Sequence, residues 1–136
     1  MKELRNPASV HAPLAGYSHQ IEIRGPERML VLSGQVGMRP DGTVPDDNAE
    51  QFDAALENVL GNLEEAGMRV EDLVKLTLYL TDPVEPEARR AILAERLGTH
   101  APCMTLVYVA GLASPALKVE IDAWASASVE RETRAG

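Results

Sequence analysis

A single cysteine, Cys103, excludes an internal disulfide in this 136-residue chain. Its three histidines, His11, His19 and His100, are spread too widely for a zinc-ligand spacing, so no metal site is expected. No apolar run comes near the roughly 18 residues of a membrane span. The opening Met1-Lys2-Glu3-Leu4-Arg5-Asn6-Pro7 also has no apolar centre of the kind a secretory signal needs. These absences predict a soluble, reduced, cytoplasmic protein. Positive charge is in deficit as well: 13 Lys and Arg stand against 21 Asp and Glu, for a net charge of -8. Such a chain repels phosphate backbones unless a basic patch overcomes the field, and the densest candidate, Arg89-Arg90, is too small. Neither nucleic acid nor membrane is an expected partner. Internal repeats and low-complexity linkers are missing too, and the length suits one domain over residues 1–136.

What is present is a set of short apolar runs around two helical segments. Turn residues Gly25-Pro26-Glu27-Arg28 separate runs 18–24 and 29–33 and predict a hairpin. From Asp47 the apolar period lengthens to about 3.6 residues, the mark of a helix. Phe52, Ala55, Leu56, Val59, Leu60, Leu63 and Ala66 form its stripe, Asp47 with Glu50 its capping signal, and Gly67 its left-handed stop. Residues 72–80 alternate Leu73, Lys75, Thr77 and Tyr79 against Val74, Leu76, Leu78 and Leu80, a strand with one wet face. A second helix is expected over 86–97 with Gly98 as its stop, then strands over 104–109 and 117–125. The order ββαβαββ predicts an α+β fold with both helices packed on one face of a mixed sheet. The other face would be bare yet hold Leu, Val and Tyr, which invites a second copy of the chain.

One acid stands out in the last apolar run, Lys118-Val119-Glu120-Ile121-Asp122-Ala123-Trp124. Period-two alternation sends Val119, Ile121 and Ala123 to the core and Glu120 to the opposite face. There it is either an ordinary surface acid or the acid of a cleft, since an unpaired buried carboxylate costs several kcal/mol. Ser33-Gly34-Gln35 closes the second run, and its glycine would let backbone N–H groups approach a ligand. Cys103 lies in an apolar run, where a thiol more often packs than reacts, and His19 and His100 read as local hydrogen-bonders.

Several segments together resemble the Rid family, also called YjgF/YER057c/UK114. They are Gly16-Tyr17-Ser18, Ser33-Gly34-Gln35, Asn58 with Leu63 and Ala66-Gly67, Asp72-Leu73-Val74-Lys75-Leu76-Thr77, and Val119-Glu120-Ile121-Asp122-Ala123. In order and spacing they cover the chain from about residue 6 to residue 127. The resemblance implies a chorismate-mutase-like subunit and a homotrimer with clefts between neighbours. It further implies hydrolysis of a reactive enamine or imine to a keto acid and ammonia, with no cofactor or metal. In the best understood branch, an arginine of a Pro-Ala-Arg motif grips the substrate carboxylate and the glutamate of the last strand is associated with water activation. Here the triplet is Pro102-Cys103-Met104, and a thioether cannot bind a carboxylate. Arg89 and Arg90 fall near a position that contributes to the family's cleft, so either could supply a displaced cation.

The expected site therefore has Glu120 as the catalytic group and Tyr17, Ser33, Gly34, Arg90, Met104 and Thr105 as substrate contacts, with Tyr17 at the cleft mouth. The expected function is a non-canonical deaminase of a small enamine or imine metabolite. The alternative is a trimer that binds a small ligand or partner without chemistry. A third reading, endoribonuclease or translation inhibitor, is opposed by the acidic charge and the lack of a basic groove.

Overall fold

The computed structural model describes residues 1–129; residues 130–136, the end of the expected domain, lie outside the described residues. Its elements are β1 (Lys2–Arg5), β2 (Gln20–Ile23), β3 (Glu27–Val36), α1 (Asn48–Glu65), a short 3-10 turn (Val70–Asp72), β4 (Leu73–Leu80), α2 (Pro86–Leu97), β5 (Cys103–Tyr108) and β6 (Val119–Ser128). Four strands make a mixed sheet in the order β3-β6-β4-β5. Only the β4–β5 pair is parallel, as its helical crossover α2 requires.

α1 begins where Asp47 accepts a hydrogen bond from the Glu50 N–H at 3.0 Å. It ends in a Schellman motif: the Gly67 N–H reaches the Glu64 carbonyl, the Met68 N–H reaches the Leu63 carbonyl, and Gly67 takes φ +69°. The stripe of Phe52, Ala55, Leu56, Val59 and Leu63 is buried against Leu76, Leu78, Leu80, Val119, Ile121 and Ala123 of the sheet. α2 is locked to α1 by a two-pronged ion pair, with Arg96 Nε and Nη2 at 2.8 and 2.9 Å from the Asp53 carboxylate oxygens. Both helices thus cover one face of the sheet, as expected.

Two expectations are corrected. The runs 18–24 and 29–33 do not form a hairpin: β2 pairs antiparallel with β1, a strand the sequence reading leaves out, and β3 pairs antiparallel with β6. The reason lies in the connection. Glu27 and Arg28, read as turn residues, are the first residues of β3 and lie opposite Ser128 and Ala127. The link that remains, with Gly25 at φ +79° and a proline that lacks an N–H, turns the chain into a different sheet. The Arg24 N–H reaches the Met1 carbonyl at 2.8 Å instead. Leu73, expected on the wet face of β4, is fully buried, because a register shift between Leu73 and Lys75 turns it inward.

Candidate functional site

The face of the sheet away from the helices carries the acid. Val119, Ile121 and Ala123 are buried in the core, so alternation along β6 brings Glu120, Asp122 and Trp124 to the open face. β3 departs from regular pairing at this point. Leu32 lies opposite Ala123 and Gln35 opposite Ile121, so Ser33 and Gly34 together face the single residue Asp122. That is a β-bulge, a device that re-aims the chain at an edge or a site.

The Glu120 side chain lies across the bulge. A Cβ at position 34 would fall 2.5 Å from Glu120 Cδ and 2.8 Å from Cγ, so only glycine leaves the carboxylate its place. Glu120 is half-buried, and its neighbour across the other strand pair is Tyr79. The Tyr79 hydroxyl donates to Asp122 Oδ2 at 2.9 Å. That bond, then burial and the charges of Asp122 and Glu120, raises the phenol above its usual range. Tyr79 thus stays a neutral donor beside two carboxyl groups. Sequence reading did not select Tyr79 or Asp122, although the alternation of β4 and β6 put both on this face.

The expected residues fall into two groups. Ser33, Gly34, Glu120 and Thr105 share the open face, with Thr105 two strands away from Glu120 and accepting a 2.7 Å bond from Lys75 Nζ. Met104 points the other way, packing against the core beneath α2. It lines a pocket of about 390 Å³ together with Arg89, Arg90, Leu93, Leu97 and the 14–16 segment. Tyr17 adjoins this second group through Gly16. Its hydroxyl accepts from the Leu14 N–H at 3.1 Å, and its ring meets His19 edge-on at 5.5 Å. Within one chain the sheet therefore separates Glu120 from Met104 and Arg90.

The remaining chemical groups are engaged locally. His100 Nε2 lies 2.8 Å from the Leu73 carbonyl, and His19 Nε2 lies 2.7 Å from the His11 carbonyl. Burial pushes the Cys103 thiol up, which keeps it protonated and poorly nucleophilic. No group of three or more His, Cys, Asp or Glu is placed to hold a metal ion among the described residues. No helix among them is long and apolar enough to cross a membrane.

Two helices on one face of a mixed sheet, with a carboxylate over a bulge glycine on the other, define a chorismate-mutase-like α+β subunit of the YjgF type. A model of the family described as Endoribonuclease L-PSP matches residues 8–127, and the chain belongs to that family, the Rid/YjgF family. A solved structure of a Rid-family protein of unknown function from Yersinia pestis superposes with a TM-score of 0.80 at 29% identity, covering 91% of this chain and 97% of that one. A RutC family protein of Aquifex aeolicus is 37% identical over 83 residues, which span 60% of this chain and 63% of the relative. The 2-iminobutanoate/2-iminopropanoate deaminase of Escherichia coli is 42% identical over 55 residues, 40% of this chain and 43% of that protein.

Proposed function

We propose that the protein hydrolyses the C=N bond of a small imine, or of the enamine that tautomerises to it, giving a carbonyl compound and ammonia. The observation that carries this reading is the Gly34–Glu120 juxtaposition: a strand carboxylate is seated over a side-chain-free stretch of backbone at a bulge. Glu120 takes a proton from water as the water oxygen bonds to the imine carbon. The C–N π electrons move to nitrogen, which takes that proton from Glu120 to form a carbinolamine and regenerate the carboxylate. Collapse of that adduct forms the C=O bond and releases nitrogen as ammonia, so water supplies the oxygen and no electrons are gained or lost. Ser33 and Gly34 offer main-chain N–H groups toward a substrate oxygen. The named activity of the Escherichia coli deaminase supports the reaction class.

In this reading the working unit is a homotrimer whose clefts lie between neighbours. Two observations support it: the bare face exposes Met29, Val31 and Trp124, and one chain leaves Glu120 and Met104 on opposite sides of its sheet. Tyr17 closes the cleft mouth. The trial is ammonia release from a panel of freshly generated imines and enamines, with wild type active on at least one and Glu120→Gln reduced by about a hundredfold. Equal activity in the variant removes the catalytic role.

Met104 favours a second reading, binding of a small ligand without chemistry, because a soft apolar group stands where a carboxylate clamp is expected. A ligand retained in the cleft, together with no turnover across the panel, would select it. The ribonuclease named in the family description is opposed by the net charge of -8.

A further inference from the structure

Residues 6–19, between β1 and β2, hold no helix or strand and far exceed the usual hairpin loop of about 2–5 residues. Stacked rings give this connection its shape. His11 and His19 meet edge-on with ring centres 4.9 Å apart, and Tyr17 meets His19 edge-on at 5.5 Å. His11 Nδ1 lies 2.8 Å from the Ala12 carbonyl, and His19 Nε2 lies 2.7 Å from the His11 carbonyl. A carbonyl only accepts, so both of these nitrogens carry hydrogen whatever the charge of the ring, and the proton that changes the charge goes to His11 Nε2 or His19 Nδ1. One added proton leaves both hydrogen bonds in place. Two put like charges 4.9 Å apart. The Tyr17 hydroxyl accepts from the Leu14 N–H, and residues 14–16 wall the pocket under α2, so the ring stack and the pocket wall are one piece.

The surrounding charges do not compensate. Among the described residues no carboxylate pairs with either imidazole. On β1 and β2, Glu3, Arg5, Glu22 and Arg24 pair with one another. Arg5 holds Glu3 below its usual range, and Arg24 with Arg5 holds Glu22 at about 2, so this ladder keeps its charges far into acid. On α2, Arg89 and Arg90 also line the pocket; the Ala88 and Glu87 N–H groups, then Arg90 and Arg89, hold Glu85 below its usual range. His100, the other imidazole near the segment, lines the same pocket.

We infer that His11 and His19 form an acid-operated latch on the segment 11–19. It is closed while at most one ring is charged, and it opens, carrying Leu14 and Tyr17 off the pocket wall, when both are. Leu14 is 85% exposed, so little apolar burial holds the wall in place once the stack separates. That the opening regulates access to the proposed cleft rests on the hydrolase reading; the opening itself does not.

The test follows the backbone amide signals of the full-length protein by NMR from about pH 8 to about pH 5, the range in which histidine changes charge. The Leu14 N–H is expected to lose about tenfold of its protection against solvent exchange, while the signals of β4 and β6 stay in place. Salt at about 1 M shortens the screening length to about 3 Å and is expected to keep the segment closed further into acid. His11→Phe keeps a ring against His19 but takes no charge, and it should stay closed at both ends of the range. His100→Gln should open as wild type does. A wild-type segment that stays closed at about pH 5, an opening indifferent to salt, a His11→Phe protein that is open at about pH 5, or an opening abolished in His100→Gln overturns the inference. Glu120→Gln separates the two claims. It should open like wild type, so opening without turnover leaves the latch standing and removes the hydrolase. Glu120-dependent turnover with no opening does the reverse.

Discussion

Gly34 and Glu120 show how much one missing side chain can decide. An alanine at position 34 places a methyl group inside the space of the Glu120 carboxylate, and either the bulge or the acid must move. Gly34→Ala is expected to lose most activity and about 1–3 kcal/mol of stability, read by steady-state rates and urea midpoints. Gln51 matters for a different reason. Fully buried in α1, it donates to the Pro45 and Ala116 carbonyls at 2.8 and 2.9 Å and accepts from the Lys118 N–H at 2.8 Å. It thereby ties both loops to the start of β6. Gln51→Leu keeps the volume but strands those main-chain groups, and a loss of about 3 kcal/mol in chemical unfolding is expected. Glu120 and Gly34 were each legible in the sequence as an acid in an apolar strand and a glycine between polar residues. Their contact was not, because it depends on a bulge set by the pairing of two strands distant in sequence. Gln51 carried no signal at all, since a polar residue beside a helical stripe reads as exposed until the loops that cover it are placed.

Among the elements, the helices were the most legible. Their limits are written in local chemistry: Asp47 and Gly67 bound α1, and α2 runs from Pro86 to a stop at Gly98. Strand partners were not legible, as the mistaken hairpin shows, because pairing is decided between residues far apart in the chain. β1 was missed for the same reason. Its Lys2 Nζ finds the Ser126 carbonyl at 2.6 Å, on the last strand of the domain. The contact between the helices makes a pH prediction. The Arg96 guanidinium hydrogen-bonded to Asp53 holds its carboxyl below the ordinary value of 3.8. A folded value below the unfolded one means the stabilisation is present above the unfolded value and is lost as pH falls through the folded one. Because the pair is partly exposed, its contribution after solvent screening is about 0.5–1 kcal/mol. Unfolding midpoints should show Asp53→Asn less stable than wild type at neutral pH, with the difference shrinking toward zero as both are titrated into the acid range. A difference that stays constant with pH would assign the loss to packing instead.

At the scale of the whole molecule, the open face of the sheet is the unfinished part. Met29, Val31 and Trp124 are 50%, 56% and 46% exposed, an apolar group beside the polar line of Tyr79, Asp122 and Glu120. If copies of the chain meet there, Trp124→Glu should convert a mass of three subunits in light scattering to that of one. A wild-type monomer would contradict the trimer outright. The alternation of β4 and β6 made this face legible in the sequence, while the division of the expected site between two faces was not, since it requires knowing that Met104 turns under α2. The central claim is that Glu120 activates water against a C=N bond. It is tested most directly by following ammonia release from a freshly generated imine by wild type and by Glu120→Gln at matched folded concentration. A fall of about a hundredfold in kcat with retained ligand binding is the predicted result. Equal rates in the two proteins would contradict it.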